Sequence, residues 1–118
     1  MPVFKIETNV PKSKVPADFL KTTSALVAKT LGKPESFVIV HVVPDQMLSF
    51  GGSTDPAANC LLMSIGKLGV CFFRCIVCSC IKLALIICHF SSRMYIQFSD
   101  QPTKDVGYDG STFHDLLG

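Results

Sequence analysis

The chain has 118 residues, a net charge of +2, and an apolar fraction of 48% against 17% charged. That length suits a single domain, residues 1–118, and the near balance of 11 basic and 9 acidic residues leaves no electrostatic footprint for nucleic acid. The apolar excess is high for a domain this small, which buries a limited share of its own surface, and it points to self-association.

Pro2 follows the initiator methionine and opens a strand-like run over residues 2–7. With Met1 removed, the chain would begin with a secondary amine. An α-amine ordinarily titrates at roughly 7.7 to 8.0, and desolvation or a neighbouring cation lowers that value. Such a group suits proton transfer near neutral pH, and it is also a potential nucleophile. Most Met-Pro starts carry no chemistry, so Pro2 gains weight only from the residues that follow. Lys5, Glu7 and Asn9 interrupt any apolar core here, so no signal peptide is expected.

Pro11 and Pro16 end this strand. Residues 15–31 then read as a helix, with Val15, Phe19, Leu20, Leu26, Val27 and Leu31 at helical spacings and Pro16 in the first turn. Gly32 with Pro34 is a stop signal. Residues 37–43 are dense in β-branched and aromatic types and read as a strand. Pro44 and Asp45 begin a turn, residues 47–50 read as a short strand before Gly51-Gly52-Ser53, and residues 58–65 as a longer one. Residues 93–98 are a further strand, residues 107–110 a turn, and 111–117 a short closing segment.

Between these last strands lies a long apolar block, residues 68–90. Its length raises a membrane span, which needs about 20 apolar residues, but Arg74 and Lys82 would be costly in mid-bilayer. Arg74, Cys78 and Lys82 follow at i, i+4 steps and give a helix one narrow polar face. A mostly buried helix in an oligomer is the first reading; a membrane span and an aggregation-prone variant are the alternatives. Cys71, Cys75, Cys78, Cys80 and Cys88 all fall in this block and Cys60 stands apart, a clustering unlike a disulfide framework. Reduced thiols of a protein made in the cytosol are expected. With His89 these thiols number enough for zinc, but on one helix they converge poorly, and buried cysteines acting as small hydrophobes fit better. No metal and no cofactor are expected.

The order strand, helix, strand, then strand, apolar segment, strand is a duplicated β-α-β unit. It implies an α+β fold, with a four-stranded sheet carrying two helices on one face. Packing several sheets around a common axis would cover the other face.

Several runs carry a resemblance: Pro2; Thr8-Asn9-Val10-Pro11; Gly32-Lys33-Pro34; Val40-His41-Val42-Val43-Pro44-Asp45-Gln46; Phe50-Gly51-Gly52-Ser53; Ser64-Ile65-Gly66-Lys67; and Met94-Tyr95-Ile96. Together they resemble the macrophage migration inhibitory factor family of the tautomerase superfamily, over residues 1–69 and again over 93–113. The resemblance implies a homotrimer in which an N-terminal proline moves a proton between carbon and oxygen of a keto–enol pair. The activities implied are tautomerisation of phenylpyruvate and hydroxyphenylpyruvate and conversion of dopachrome-like compounds. It also implies a cytokine of innate immunity, cytoplasmic and secreted without a signal peptide, that engages a cell-surface receptor.

On that resemblance Pro2 is the catalytic base and Lys33 the holder of the substrate carboxylate. Ser64 and Ile65 line the pocket, with the Ile65 N–H toward the carboxylate. Tyr95 comes from a neighbouring subunit, Gln97 stands in place of an asparagine, Tyr108 in place of a tryptophan, and Phe113 forms an aromatic wall. Val3 replaces a methionine. By pattern alone Lys33 is a loop lysine and Tyr95 a strand aromatic. Two departures stand out. Ala57 occupies the first position of a Cys-x-x-Cys motif, so no thiol oxidoreductase activity is assigned. Residues 70–92 do not resemble the family's charged, amphipathic second helix. The competing readings are a receptor-binding cytokine with incidental or no catalysis, and a defective or membrane-associated isoform.

Overall fold

The computed structural model describes residues 2–65, 91–112 and 115. Strands β1 (Val3–Thr8), β2 (Ile39–Val43), β3 (Ala58–Ser64) and β4 (Met94–Asp100) form one sheet in the order β2-β1-β3-β4. β1 runs parallel to β2 and antiparallel to β3, and β3 runs parallel to β4. The two halves of the sheet are therefore two parallel pairs joined back to back through β1 and β3. The duplicated unit expected from the sequence is present in its strands. Its first crossover is helix α1 (Phe19–Leu31). Residues 66–90, on which the expected second helix, the membrane reading and five of the cysteines fall, lie outside the described residues.

Strand alternation decides which face is covered. Phe4, Ile6 and Thr8 are buried while Val3, Lys5 and Glu7 between them are half-buried. Across the sheet Phe4 pairs with Val40 and Leu62, and Ile6 with Val42 and Cys60, so the buried residues share a face. α1 presents Phe19, Thr23, Val27 and Leu31, one residue per i, i+4 step. The core joins Phe19, Val27 and Leu31 to Phe4, Ile6, Val10, Ala58, Cys60 and Leu62. Cys60 is thus packed as a small hydrophobe. The opposite face carries Ile39, Leu61 and Tyr95, all exposed, beside a Lys5–Glu7 ion pair at 3.4 Å.

Three local expectations change. The helix starts at Phe19 rather than residue 15, because a residue before proline is kept out of the helical region; Val15 is extended, with φ −81° and ψ 123°. Phe37 does not open a strand but ends a single 3-10 turn, Glu35–Phe37. Residues 47–50 form no strand; Phe50 only bridges to Ser53. The chain closes with a small ladder, β5 (Gly107–Tyr108) against β6 (Ser111–Thr112).

The end of α1 is shaped by Gly32. Its φ of 63° lies in the left-handed region, which lets the Lys33 N–H donate to the Ala28 carbonyl at 3.1 Å and the Gly32 N–H reach that of Lys29 at 3.4 Å. A Cβ at Gly32 would meet nothing within 4 Å, so only backbone strain opposes a side chain there. Gly32→Ala is expected to destabilise the fold by about 1–2 kcal/mol, against about 2–5 kcal/mol for Leu62→Ala in the core. Denaturant midpoints at one protein concentration check both.

Candidate active site

The ring of Pro2 is fully buried at the head of β1. Its carbonyl accepts the Ile39 N–H at 3.0 Å, extending the β1–β2 ladder by one rung. On the other side Val3 pairs with Met63, which places Pro2 level with Ser64 at the end of β3. Ser64 and Ile65 are buried there. The Ser64 hydroxyl has no hydrogen-bond partner among the described residues, although its oxygen is fully buried. The hydroxyl of Thr23, between α1 and the sheet, shares that state, and nothing in the structure gives it a role.

Lys33 reaches this end from the turn after α1. Its Nζ donates to the Ile65 carbonyl at 2.6 Å. An ammonium has three donors, so this bond anchors the side chain and leaves two N–H groups for an anion. The cap at Gly32 aims the chain, and the Ile65 carbonyl fixes where its charge stops.

Tyr108 joins the same end through Phe37. Their rings meet edge-on, with centroids 5.4 Å apart and planes at 77°. Phe37 lies two residues before Ile39, so the contact ties the β5–β6 ladder to the proline end of the sheet. Sequence reasoning assigned Phe37 to a strand and gave it no role at the site. The signal available was its aromatic character directly before a strand that pairs with residue 3. Phe113 lies outside the described residues.

Tyr95 and Gln97 are elsewhere. β4 is in register with β3, so Ser64 pairs with Asp100 and Asn59 with Tyr95. Tyr95 is therefore five positions down the strand from the Pro2 level, about 16 Å at 3.3 Å per residue. Gln97 is three positions down, about 10 Å. Both sit on the uncovered face and line a shallow concavity of about 480 Å³ with Leu48, Ser49, Phe50, Gly51, Ala58 and Asn59. One chain thus gathers Pro2, Lys33, Ser64, Ile65 and Tyr108 at one end of the sheet and keeps Tyr95 and Gln97 at the other.

Among the described residues no group of three or more His, Cys, Asp or Glu side chains is placed to hold a metal ion. Among the same residues no helix is long and apolar enough to cross a membrane.

Comparison with known proteins fits this geometry. A family model described as macrophage migration inhibitory factor matches residues 1–114. The chain is 45% identical to the macrophage migration inhibitory factor homolog of Trichuris trichiura, over 96% of this chain and all of that one. It is 42% identical to the macrophage migration inhibitory factor of Rattus norvegicus, over 96% and 99%. Among solved structures, the macrophage migration inhibitory factor of Trichinella spiralis superposes with a TM-score of 0.90 at 44% identity, covering 94% of this chain and 99% of that one. The chain belongs to the macrophage migration inhibitory factor family of the tautomerase superfamily. That membership supports tautomerase chemistry in general.

An edge-on aromatic pair contributes about 0.5–1.5 kcal/mol beyond its buried area. Tyr108→Ala is therefore expected to loosen the β5–β6 ladder, raising amide exchange at residues 107–112 several-fold. Tyr108→Phe, which keeps the ring, is expected to leave it near the native rate. Hydrogen–deuterium exchange separates the two.

Proposed function

We propose that the protein is a keto–enol tautomerase for phenylpyruvate, hydroxyphenylpyruvate and dopachrome-like compounds, with Pro2 as the proton carrier once Met1 is removed. The observation that carries this reading is the Pro2 end of the sheet, where a buried proline, an anchored lysine and a serine hydroxyl unpartnered among the described residues lie together. Family membership adds to it.

The chemistry asks little beyond positioning. The free amine of Pro2 takes the proton from the carbon next to the ketone. The electrons of that C–H bond become the C=C of the enol, the C=O π electrons move to oxygen, and the protonated amine passes the same proton to that oxygen, which restores the free base; the reverse path returns it. Nothing is oxidised overall. Lys33 holds the substrate carboxylate with the two donors that Ile65 leaves unused. A cation at Lys33 and burial at Pro2 both favour the neutral form of the freed amine. Ser64 and Ile65 line the pocket, Phe37 and Tyr108 supply apolar walls for an aromatic ring, and the family resemblance gives Phe113 the same role.

Within one chain Tyr95 and Gln97 are too far from Pro2 to act on the same substrate. A homotrimer resolves this, each copy lending its Tyr95 and Gln97 to the Pro2 of a neighbour. The uncovered sheet face, with Ile39, Leu61 and Tyr95 exposed, favours such packing. The Tyr95 hydroxyl then points its dipole at the oxygen where charge develops. A second role, signalling through a cell-surface receptor, rests on the family resemblance; the relatives are named inhibitory factors of macrophage migration.

The deciding measurement is hydroxyphenylpyruvate tautomerisation by the purified protein, with N-terminal processing and solution mass determined on the same sample. Activity from a processed trimer, lost at least about 100-fold in Pro2→Gly, is the expected result. A processed, inactive trimer would leave the signalling role alone. Lys33→Met is expected to lower kcat/KM about tenfold or more, chiefly through KM, because one charge-assisted contact to the carboxylate goes. The base must be unprotonated to act, so kcat/KM falls as pH drops through the pKa of the amine. A pH profile with that acid limb, absent from the Met1-retaining protein, completes the test.

A further inference from the structure

We infer that Arg93 is a positioning residue: it clamps the loop that carries Phe50, and through Phe50 it sets the Tyr95 ring for the Pro2 of a neighbouring copy. This deepens the tautomerase reading and rests on it.

Arg93 ends the turn Ser91–Arg93 and stands two residues before Tyr95. Its Nε donates to the Pro56 carbonyl at 3.1 Å, and its Nη2 to the carbonyls of Asp55 at 3.1 Å and Ser53 at 3.2 Å. Among the described residues no carboxylate pairs with it. The guanidinium is therefore spent on the backbone of one loop, a task its planar fork suits and a lysine ammonium does not.

The loop passes that hold to an aromatic ring. The Ser53 carbonyl that accepts from Arg93 also accepts the Phe50 N–H at 2.9 Å, and the Ser53 N–H returns to the Phe50 carbonyl at 3.1 Å. Gly51 and Gly52, with φ 61° and 79°, make the intervening left-handed pair, the geometry of a tight hairpin turn. The guanidinium carbon then lies 5.4 Å from the Phe50 ring centroid, within cation–π reach. The Phe50 ring is in turn 5.0 Å from that of Tyr95, tilted by 59°. Tyr95 is 68% exposed, so its own strand gives the ring little else to rest on.

Asn9 grips the same loop independently. Its Nδ2 donates to the carbonyls of Thr54 and Asp55, each at 3.0 Å, and its Oδ1 accepts the Ala57 N–H at 2.9 Å. Loss of Arg93 thus leaves the loop attached while freeing the Phe50 turn. That separates positioning from folding.

The protein contains two tyrosines and no tryptophan. In a Tyr108→Phe background Tyr95 is the sole tyrosine, and its fluorescence, excited beyond the phenylalanine band, reports the clamp without reference to activity. Adding Arg93→Met to that background is expected to raise acrylamide quenching about twofold, with Arg93→Lys intermediate because it keeps a cation but loses the fork. In the otherwise native chain Arg93→Met is expected to lower kcat on hydroxyphenylpyruvate about tenfold, with KM little changed. The same change made in Tyr95→Phe is expected to have a much smaller effect, since the two act as a unit. Unchanged Tyr95 quenching in the Arg93 variants, or an Arg93 effect undiminished in Tyr95→Phe, would overturn the proposal. A native chain without tautomerase activity whose Tyr95 quenching still responds would overturn the catalytic purpose together with the function proposed above. The quenching measurement tells that failure apart from failure of the clamp itself. Should Arg93→Met not fold, Arg93→Lys carries the same comparisons.

Discussion

The pairing of β1 on both of its edges is the constraint from which the rest follows. Chain termini usually fray because nothing holds them. Here the first strand is an inner one, with β2 on one side and β3 on the other, and the ladder runs out to the carbonyl of Pro2. Register then fixes everything at that end. A slip of one residue would turn Phe4, Ile6 and Thr8 to the uncovered face and Lys5 and Glu7 into the core. The hydrophobic pattern forbids the slip, so the position of Pro2 is set by residues that have no part in the chemistry.

The same strand organises the opposite end. Thr8, its last residue, donates its buried hydroxyl to the Ala57 carbonyl at 2.7 Å and accepts the Val10 N–H at 3.2 Å. Asn9 and Arg93 then satisfy the carbonyls of the loop between β2 and β3, which has no regular partner of its own. An exposed loop such as this one can leave its backbone groups to water. It places these carbonyls instead on two side chains from opposite ends of the sequence. β1 thus connects the proline end, through its ladders, to the tyrosine end, through the loop it pins.

Much of this was legible in the sequence. The β-branched run before Pro44 gave β2, the i, i+4 apolar stripe gave α1, and the four strands came in the expected order. What escaped notice depends on partners that no side-chain pattern records. Val15 looked helical by spacing, but the proline after it decided otherwise. Phe37 matched a strand by composition, and only its contact with Tyr108 shows it at the site. Arg93 read as the first residue of a strand, because the carbonyls it binds belong to Ser53, Asp55 and Pro56 and leave no signature. Lys33 and Tyr95 were singled out by family resemblance, and periodicity alone would have left both as bland surface residues.

The separation of the two ends bears on why the uncovered face is built as it is. Residues that face outward on β4 must serve two demands when copies assemble: they bury against a neighbour, and they present polar groups to its pocket. Tyr95 meets both, since a phenol has an apolar body and a polar tip. Gln97 meets the second with an amide, on the same face and two positions on. Ile39 and Leu61 meet only the first. An interface made wholly of residues like these last two would hold copies together and leave each Pro2 with half a site. In the proposed trimer, assembly and catalysis therefore draw on one strand face, and a change at Tyr95 or at the clamp behind it acts on a pocket that belongs to another copy.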